Sequence, residues 1–545
     1  MTRREWLVVS TVGVVLAVAT TWPLVLHLGT RLPADTTSPA DVLLEAWTVA
    51  WGGHALLHSP FSFFDANSFW PLHQSLAFTD SLAGFAPAGL VGSGIKAAVV
   101  RYDLLFLFSY ALAFVGAYAL ARAIGARQTG AAFAGVAFAY SPFRLAQEDH
   151  LHILASGGIP LSLALLVQGY RAQRPRLVVA GWLVALWQVS LGWNLGLPFV
   201  YLLGVLTVAA GIVLRRRRPS RDVLVATAVG GAIALVGVLL LALPYVQVLH
   251  NHPEARRTPD ILFFFSPTVR SLLAAPSRDL VWGAATARFR IEPAMEKTIF
   301  LGLTSLVAAF VGLAAGRAPR NVRLTLAVLA AGFAVLSLGF GFHGGRASYR
   351  LLYDYAPGWQ GLRTPGRLVT FTSLAVAMLA ALGVDRVALA ARRLGRHAPV
   401  VVAAALMGLA LLEGFGRIDL YPPPPRPQAV VVAPAPQLVL PGDRDLTNAR
   451  AMFWSIGRFQ PVLNGWSGFH PTEYTQLVDR VRSFPDAASV RLLRERGVRS
   501  VLLDRAASQG TSWADAAGRP VAGLPLRRTE LGRFVIFTLA PSSVR

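Results

Sequence analysis

The chain has 545 residues, is 54% hydrophobic and only 14% charged, and carries a net charge of +23. So few charges over such a length exclude an ordinary soluble enzyme. The absence of cysteine excludes disulfides, thiol nucleophiles and zinc-thiolate sites.

Apolar runs near twenty residues recur through the first three-quarters of the chain, each long enough to cross a bilayer. The sequence therefore predicts a polytopic α-helical membrane protein. The positive charge does not point to nucleic acid. The arginines gather in short loops between apolar runs, as the positive-inside rule requires of cytoplasmic loops. Lys96 and Lys297 are the only lysines, an arginine preference that fits a GC-rich coding bias.

Trp6–Leu28 follows Arg3 and Arg4 and reads as the first membrane helix, with its N-terminus in the cytoplasm. The first outer loop, 29–102, carries the stretch from Pro33 to Trp47. Asp41 and Glu45 are four apart there, on one face of a helix whose other positions are apolar or aromatic. That pattern predicts a helix lying flat on the membrane surface with its acids aimed at a cleft. Acids at such a boundary are costly unless they pair or work. Ser81–Val91 is short and rich in Gly and Pro, so it reads as a second surface or re-entrant helix.

The remaining spans are expected at Leu104–Ile124, Ala131–Tyr140, Ile153–Tyr170, Leu177–Leu191, Leu195–Leu214, Val223–Leu243, Thr298–Ala315, Leu324–Phe340, Leu368–Val384 and Val400–Phe415. With these, every short basic loop, including Arg215–Arg218, falls inside. The count is eleven spans, a membrane domain of 1–418. The Pro-rich linker 419–428 is stiff. The last segment, 429–545, reads as a small α/β domain outside the membrane. Its strands are expected at Val430–Val432, Gln437–Leu440, Ser500–Leu503 and Phe534–Thr538, its helices at Thr472–Ser483 and Ala487–Arg496. The linker should let the tail dock over the outer loops and bury apolar residues such as Phe263–Phe265.

Three further outer groups could carry chemistry. The short loop from Ser141 to His152 holds Arg144, Glu148, Asp149, His150 and His152. Its oxygen-rich donors suit Mg²⁺ or Mn²⁺, and a solvated turn with helix-capping acids is the plain alternative. Arg363 and Arg367, beside Gly, Pro and Thr364, can clamp a phosphate at head-group depth, or simply meet bulk lipid phosphates. Trp466 and Phe469, beside Asn464 and Gly465, suit a sugar ring, although a buried Trp at a turn is the commoner case. There is no Walker motif, no G-x-S-x-G elbow and no paired-His zinc motif. Chemistry on the outer face must then draw on an activated, membrane-borne substrate.

Taken together, these features resemble a family. They are Asp41 through Leu57, Phe64 through Pro71, Ser141 to Arg144, His150 to His152, Pro357 through Arg367, and Asn464 to Phe469. The order of loops and spans is similar to that of the GT-C superfamily of membrane glycosyltransferases, near the bacterial protein mannosyltransferases that use polyprenyl-phosphate mannose. The resemblance implies sugar transfer from a polyprenyl-phosphate donor to an acceptor on the outer face of a bacterial inner membrane. It implies that Asp41 is catalytic, and that Glu148 or Asp149, with His150, helps hold a divalent cation. The doubled acid of many members is here spread over Asp41 and Glu45. Arg144, Arg363 and Arg367 are expected at the donor phosphate, Trp466 and Phe469 at the acceptor. The partners expected are the lipid-linked donor, membrane lipids and an acceptor of unspecified class, not nucleic acid. The rival reading is a lipid or polysaccharide transporter, or an accessory scaffold of envelope assembly. Transporters carry charges at mid-membrane, whereas here the charges gather at the outer ends of the spans.

Overall fold

The structure is a computed structural model that describes residues 1–36, 38–214 and 219–541, so the Arg215–Arg218 loop of the topology argument lies outside the described residues. The chain forms two compact units. One comprises Met1–Leu26, Leu104–Ala242 and Arg256–Ile418, the other His27–Asp103, Leu243–Ala255 and Asp419–Arg545.

The first unit is helical. Among the described residues, six helices are long and apolar enough to cross a membrane: Gly94–Ile124, Leu151–Ala172, Trp193–Ile212, Arg221–Asn251, Arg320–Ser337 and Pro365–Leu394. Pro175–Ser190, Leu303–Ala315 and Ala398–Glu413 are shorter apolar helices. The protein is a multi-pass membrane protein. Helices occupy the other expected spans too, but Gln128–Ala139 has only 12 residues. At 1.5 Å per residue it extends about 18 Å, short of the roughly 30 Å of a hydrocarbon core.

Small residues set the closest helix contacts, as expected where lipid offers no hydrophobic drive for packing. A Cβ on Gly312 would run into the Leu379 carbonyl, and one on Gly383 into that of Ala308, so Leu303–Ala315 and Val369–Ala391 meet backbone to backbone. Asp385 caps the helix Gln128–Ala139 from a neighbouring helix. It accepts from the N–H groups of Arg127 at 2.6 Å and Gly130 at 3.0 Å.

The second unit is built around Ala40–His58 and a four-stranded sheet. Apolar and aromatic residues cover the helix on all sides, and nearly every position from Ala40 to Ala55 is buried. A helix apolar all round belongs in an interior. The expected surface-lying helix is thus an internal one, with Asp41 half-buried in its first turn. It packs on the 3₁₀ turns of Ala83–Leu90, where Gly53 and Gly89 touch through their backbones.

Two short strands pair antiparallel, β1 (Leu32–Pro33) with β2 (Leu420–Tyr421). The main sheet contains β3 (Gln437–Leu440), β4 (Ser500–Asp504), β5 (Leu526–Leu531) and β6 (Phe534–Leu539), in the order β3-β4-β6-β5. β3 and β4 run parallel, and the other two pairings are antiparallel. Helices Asp445–Ser455, Thr472–Arg480 and Ala487–Glu495 accompany it. One core draws on all three stretches of the unit, with Phe78, Val248, Leu440, Val490, Val501 and Phe537 among its members.

Several expectations need correction. Val430–Val432 is not a strand but the end of a short helix, Gln428–Val432, which follows Pro427. A proline just before or at the first turn favours a helix start. Phe263 and Phe264 are exposed. Lys297 and Arg363 lie over the neighbouring rings of Phe264 and Phe265.

Candidate functional site

In the second unit, the loop from Leu463 to Phe469 is tied to the sheet by Asn464. This side chain is fully buried, accepts from Val439 N–H at 2.7 Å, and donates to Val439 C=O and to Asn448 at 2.8 Å each. It is a structural brace, not a sugar contact. The brace sets the next residues, and the Trp466 indole N–H donates to Asp41 Oδ1 at 2.8 Å.

Two residues join this pair: Asp445, which the sequence did not mark, and His470, the last residue of the stretch that begins at Asn464. Asp445, at the start of its helix, lies 3.9 Å from His470. Burial pushes the Asp445 carboxyl up, His470 counters it, and the charge of Asp41 adds to the rise. Burial also lowers His470, against the pull of Asp445. The His470 ring lies 5.5 Å from that of Trp466. Two carboxyls near enough to feel each other, with an imidazole between indole and acid, can accept, hold and pass a proton. Glu45 lies one turn deeper, buried, with the Tyr102 hydroxyl at 3.4 Å. Phe469 turns away from this group and packs on Phe78 at 5.1 Å and His252 at 6.2 Å.

In the first unit, Arg144 is 1% exposed and caged. It donates to Ser156 Oγ and Leu154 C=O at 2.6 Å each, between the rings of Tyr110 and Phe138. Burial pushes its pKa down to about 10. It holds its own loop together and does not present a fork to a phosphate. Glu148 accepts from the Tyr110 hydroxyl at 3.1 Å and pairs with Arg278 at 3.1 Å. Each of its oxygens is engaged, and the adjacent charge is a guanidinium. Glu148, Asp149 and His150 are the residues that would hold the Mg²⁺ or Mn²⁺ expected here. Asp149 and His150 are buried beside Glu148.

His150 approaches Glu296 at 3.8 Å. Glu296 was not singled out from the sequence, yet it organises the group. Arg367 grips it with both arms, at 3.1 and 2.6 Å, and reaches His152 at 2.9 Å. Burial alone would raise the Glu296 carboxyl, but Arg367, then His150 and Arg363, hold it below the usual range. Arg367 is thus a buried ion-pair partner. Arg363 is half-buried and stacks 4.8 Å over Phe265.

No protein-family model matches the chain, and no curated protein matches it in sequence. Solved structures do. The arabinofuranosyltransferase AftD from Mycobacteria aligns over 99% of this chain at 17% identity with a TM-score of 0.58. The oligosaccharyltransferase of Archaeoglobus fulgidus, tethered to an acceptor peptide, aligns over 99% at 13% identity with a TM-score of 0.50. The chain has the GT-C fold. It spans 40% of the length of the arabinofuranosyltransferase and 74% of the oligosaccharyltransferase. At such low identity the GT-C likeness fixes the path of the chain and leaves the chemistry to its own residues.

Proposed function

We propose that this protein is a membrane glycosyltransferase that moves a sugar from a polyprenyl-phosphate donor to an acceptor hydroxyl on the outer face of a bacterial inner membrane. The observation that carries the proposal is the Asp41–Trp466 hydrogen bond, with Asp445 and His470 beside it, in a chain of GT-C fold. Both structural neighbours are named as enzymes that transfer sugars.

In this reading Asp41 is the general base. Its carboxylate takes the proton of the acceptor hydroxyl as that oxygen bonds to the anomeric carbon. The bond from that carbon to the phosphate oxygen breaks, and its electron pair leaves with the phosphate. The Trp466 N–H holds one carboxylate oxygen and orients the other. Glu45 supports the same helix from inside. Arg363, half-buried over Phe265, is assigned to the donor phosphate, as the sequence reading expects.

The test is transfer from labelled polyprenyl-phosphate sugars by the purified protein in lipid. Asp41→Asn should lower turnover by about 10²–10⁴-fold with an unchanged unfolding temperature. Full activity in that variant would remove Asp41 from the mechanism.

A further inference from the structure

A second cluster in the second unit takes no part in this reading. His252 directly follows the long helix Arg221–Asn251. Its backbone N–H bonds to Val248 C=O at 2.7 Å, and its own C=O accepts from Ala255 at 2.9 Å. The 3₁₀ turn Pro253–Ala255 between them places Glu254 beside the imidazole. Val248 and Ala255 belong to the hydrophobic core, so the turn is anchored on both sides. The ring meets Phe78 edge-on at 5.2 Å, and the residue is 8% exposed.

The buried Nδ1 of His252 has no hydrogen-bond partner. What it faces is a pair of carboxylates, Glu254 Oε1 at 3.6 Å and Glu473 Oε2 at 3.7 Å. All three atoms lie within 4.8 Å of one another. Glu473 stands in the first turn of Thr472–Arg480, and the Thr472 N–H fixes Glu254 Oε1 at 2.9 Å. Among the described residues, no Lys or Arg pairs with either carboxylate. Glu148 and Glu296, by contrast, each have an arginine.

We infer that His252, Glu254 and Glu473 form a binding site for a divalent transition-metal ion of the zinc class. Bonds of about 2.0–2.2 Å in a tetrahedron put ligand atoms roughly 3.4 Å apart, so the two distances from His252 need only a few tenths of an ångström of contraction. Two carboxylates and a neutral imidazole balance a charge of +2. An imidazole donor favours zinc, copper or nickel over magnesium or calcium. The Thr472 N–H on Glu254 acts as the outer hydrogen bond that orients a ligand. The bound ion clips the turn after Arg221–Asn251 to the first turn of Thr472–Arg480, a structural and not a chemical task.

The experiment uses the full chain, purified in detergent, stripped with a chelator and titrated with Zn²⁺ by calorimetry and with Co²⁺ by visible absorption. One equivalent should bind and raise the unfolding temperature. Glu473→Gln and His252→Ala should each weaken binding by about tenfold or more and abolish the thermal shift. Glu473 is half-exposed, so its variant tests the site even if His252→Ala fails to fold. Asp149→Asn should bind as the parent does, which separates this site from any ion at the Glu148 loop. Asp41→Asn should also bind normally, so the clip and the transfer mechanism fail independently. Absence of binding in excess zinc, or unchanged binding in Glu473→Gln, overturns the inference.

Discussion

The Trp466 indole nitrogen lies 2.8 Å from Asp41 Oδ1, joining residues 425 positions apart. A hydrogen bond to a charged group contributes about 1.5–3 kcal/mol. Trp466→Phe keeps the ring and removes the donor. It should lower turnover in the transfer assay by about tenfold, with a small fall in the unfolding temperature. An unchanged turnover would mean that the indole serves packing alone.

The membrane character and the apolar helices were legible in the sequence, because they rest on composition, periodicity and loop charge, whereas the GT-C fold was legible only through the family resemblance. The partners were not legible. Glu296 and Arg367 are 71 residues apart, and Tyr110 and Glu148 are 38 apart. Nothing local marks such pairs, and the burial of Arg144, Glu148 and Arg367 beside distant partners was therefore not legible. Strand β5 was missed because it is mostly exposed and polar, with no alternation to betray it. The surface position expected of Ala40–His58 failed for a visible reason, since Val42, Leu43, Trp47 and Val49 leave little polar face.

The buried pair predicts opposite behaviour for two neighbouring arginines. Arg367→Ala leaves Glu296 charged in an interior where both side chains are 5% exposed. Removing one partner of such a pair costs about 3–5 kcal/mol. The variant should unfold at a clearly lower temperature or fail to accumulate. Arg363→Ala should fold normally and raise the KM for the donor. Equal thermal stability of the two variants would refute this division.

Gly53 offers a packing test. A Cβ there would collide with the backbone of Gly89, not with a movable side chain. Overpacking of this kind costs about 1–3 kcal/mol. Gly53→Ala should lower the unfolding temperature, whereas Gly408→Ala, where a Cβ meets nothing within 4 Å, should not. Equal temperatures would show that the helix and the Ala83–Leu90 turns can part without cost.

Asp279 gives the pH dependence. It is 4% exposed, and its Oδ1 accepts from the N–H groups of Val281 at 2.9 Å and Trp282 at 2.7 Å. Burial raises its pKa from 3.8 to about 6, against those two donors, and the charge of Glu413 adds to the rise. The folded protein therefore holds this proton more tightly than the unfolded chain does. Stability falls wherever the native state binds more protons. The contribution of Asp279 is fully present below its unfolded value, declines as the pH rises towards 6, and is level above that. An asparagine keeps the Oδ1 acceptor for both N–H groups and cannot ionise. Asp279→Asn should match the parent at pH 4 and unfold at a higher temperature than the parent at pH 7.5. Thermal unfolding in detergent across that range decides it, and parallel curves for the two proteins would show that Asp279 does not titrate between them.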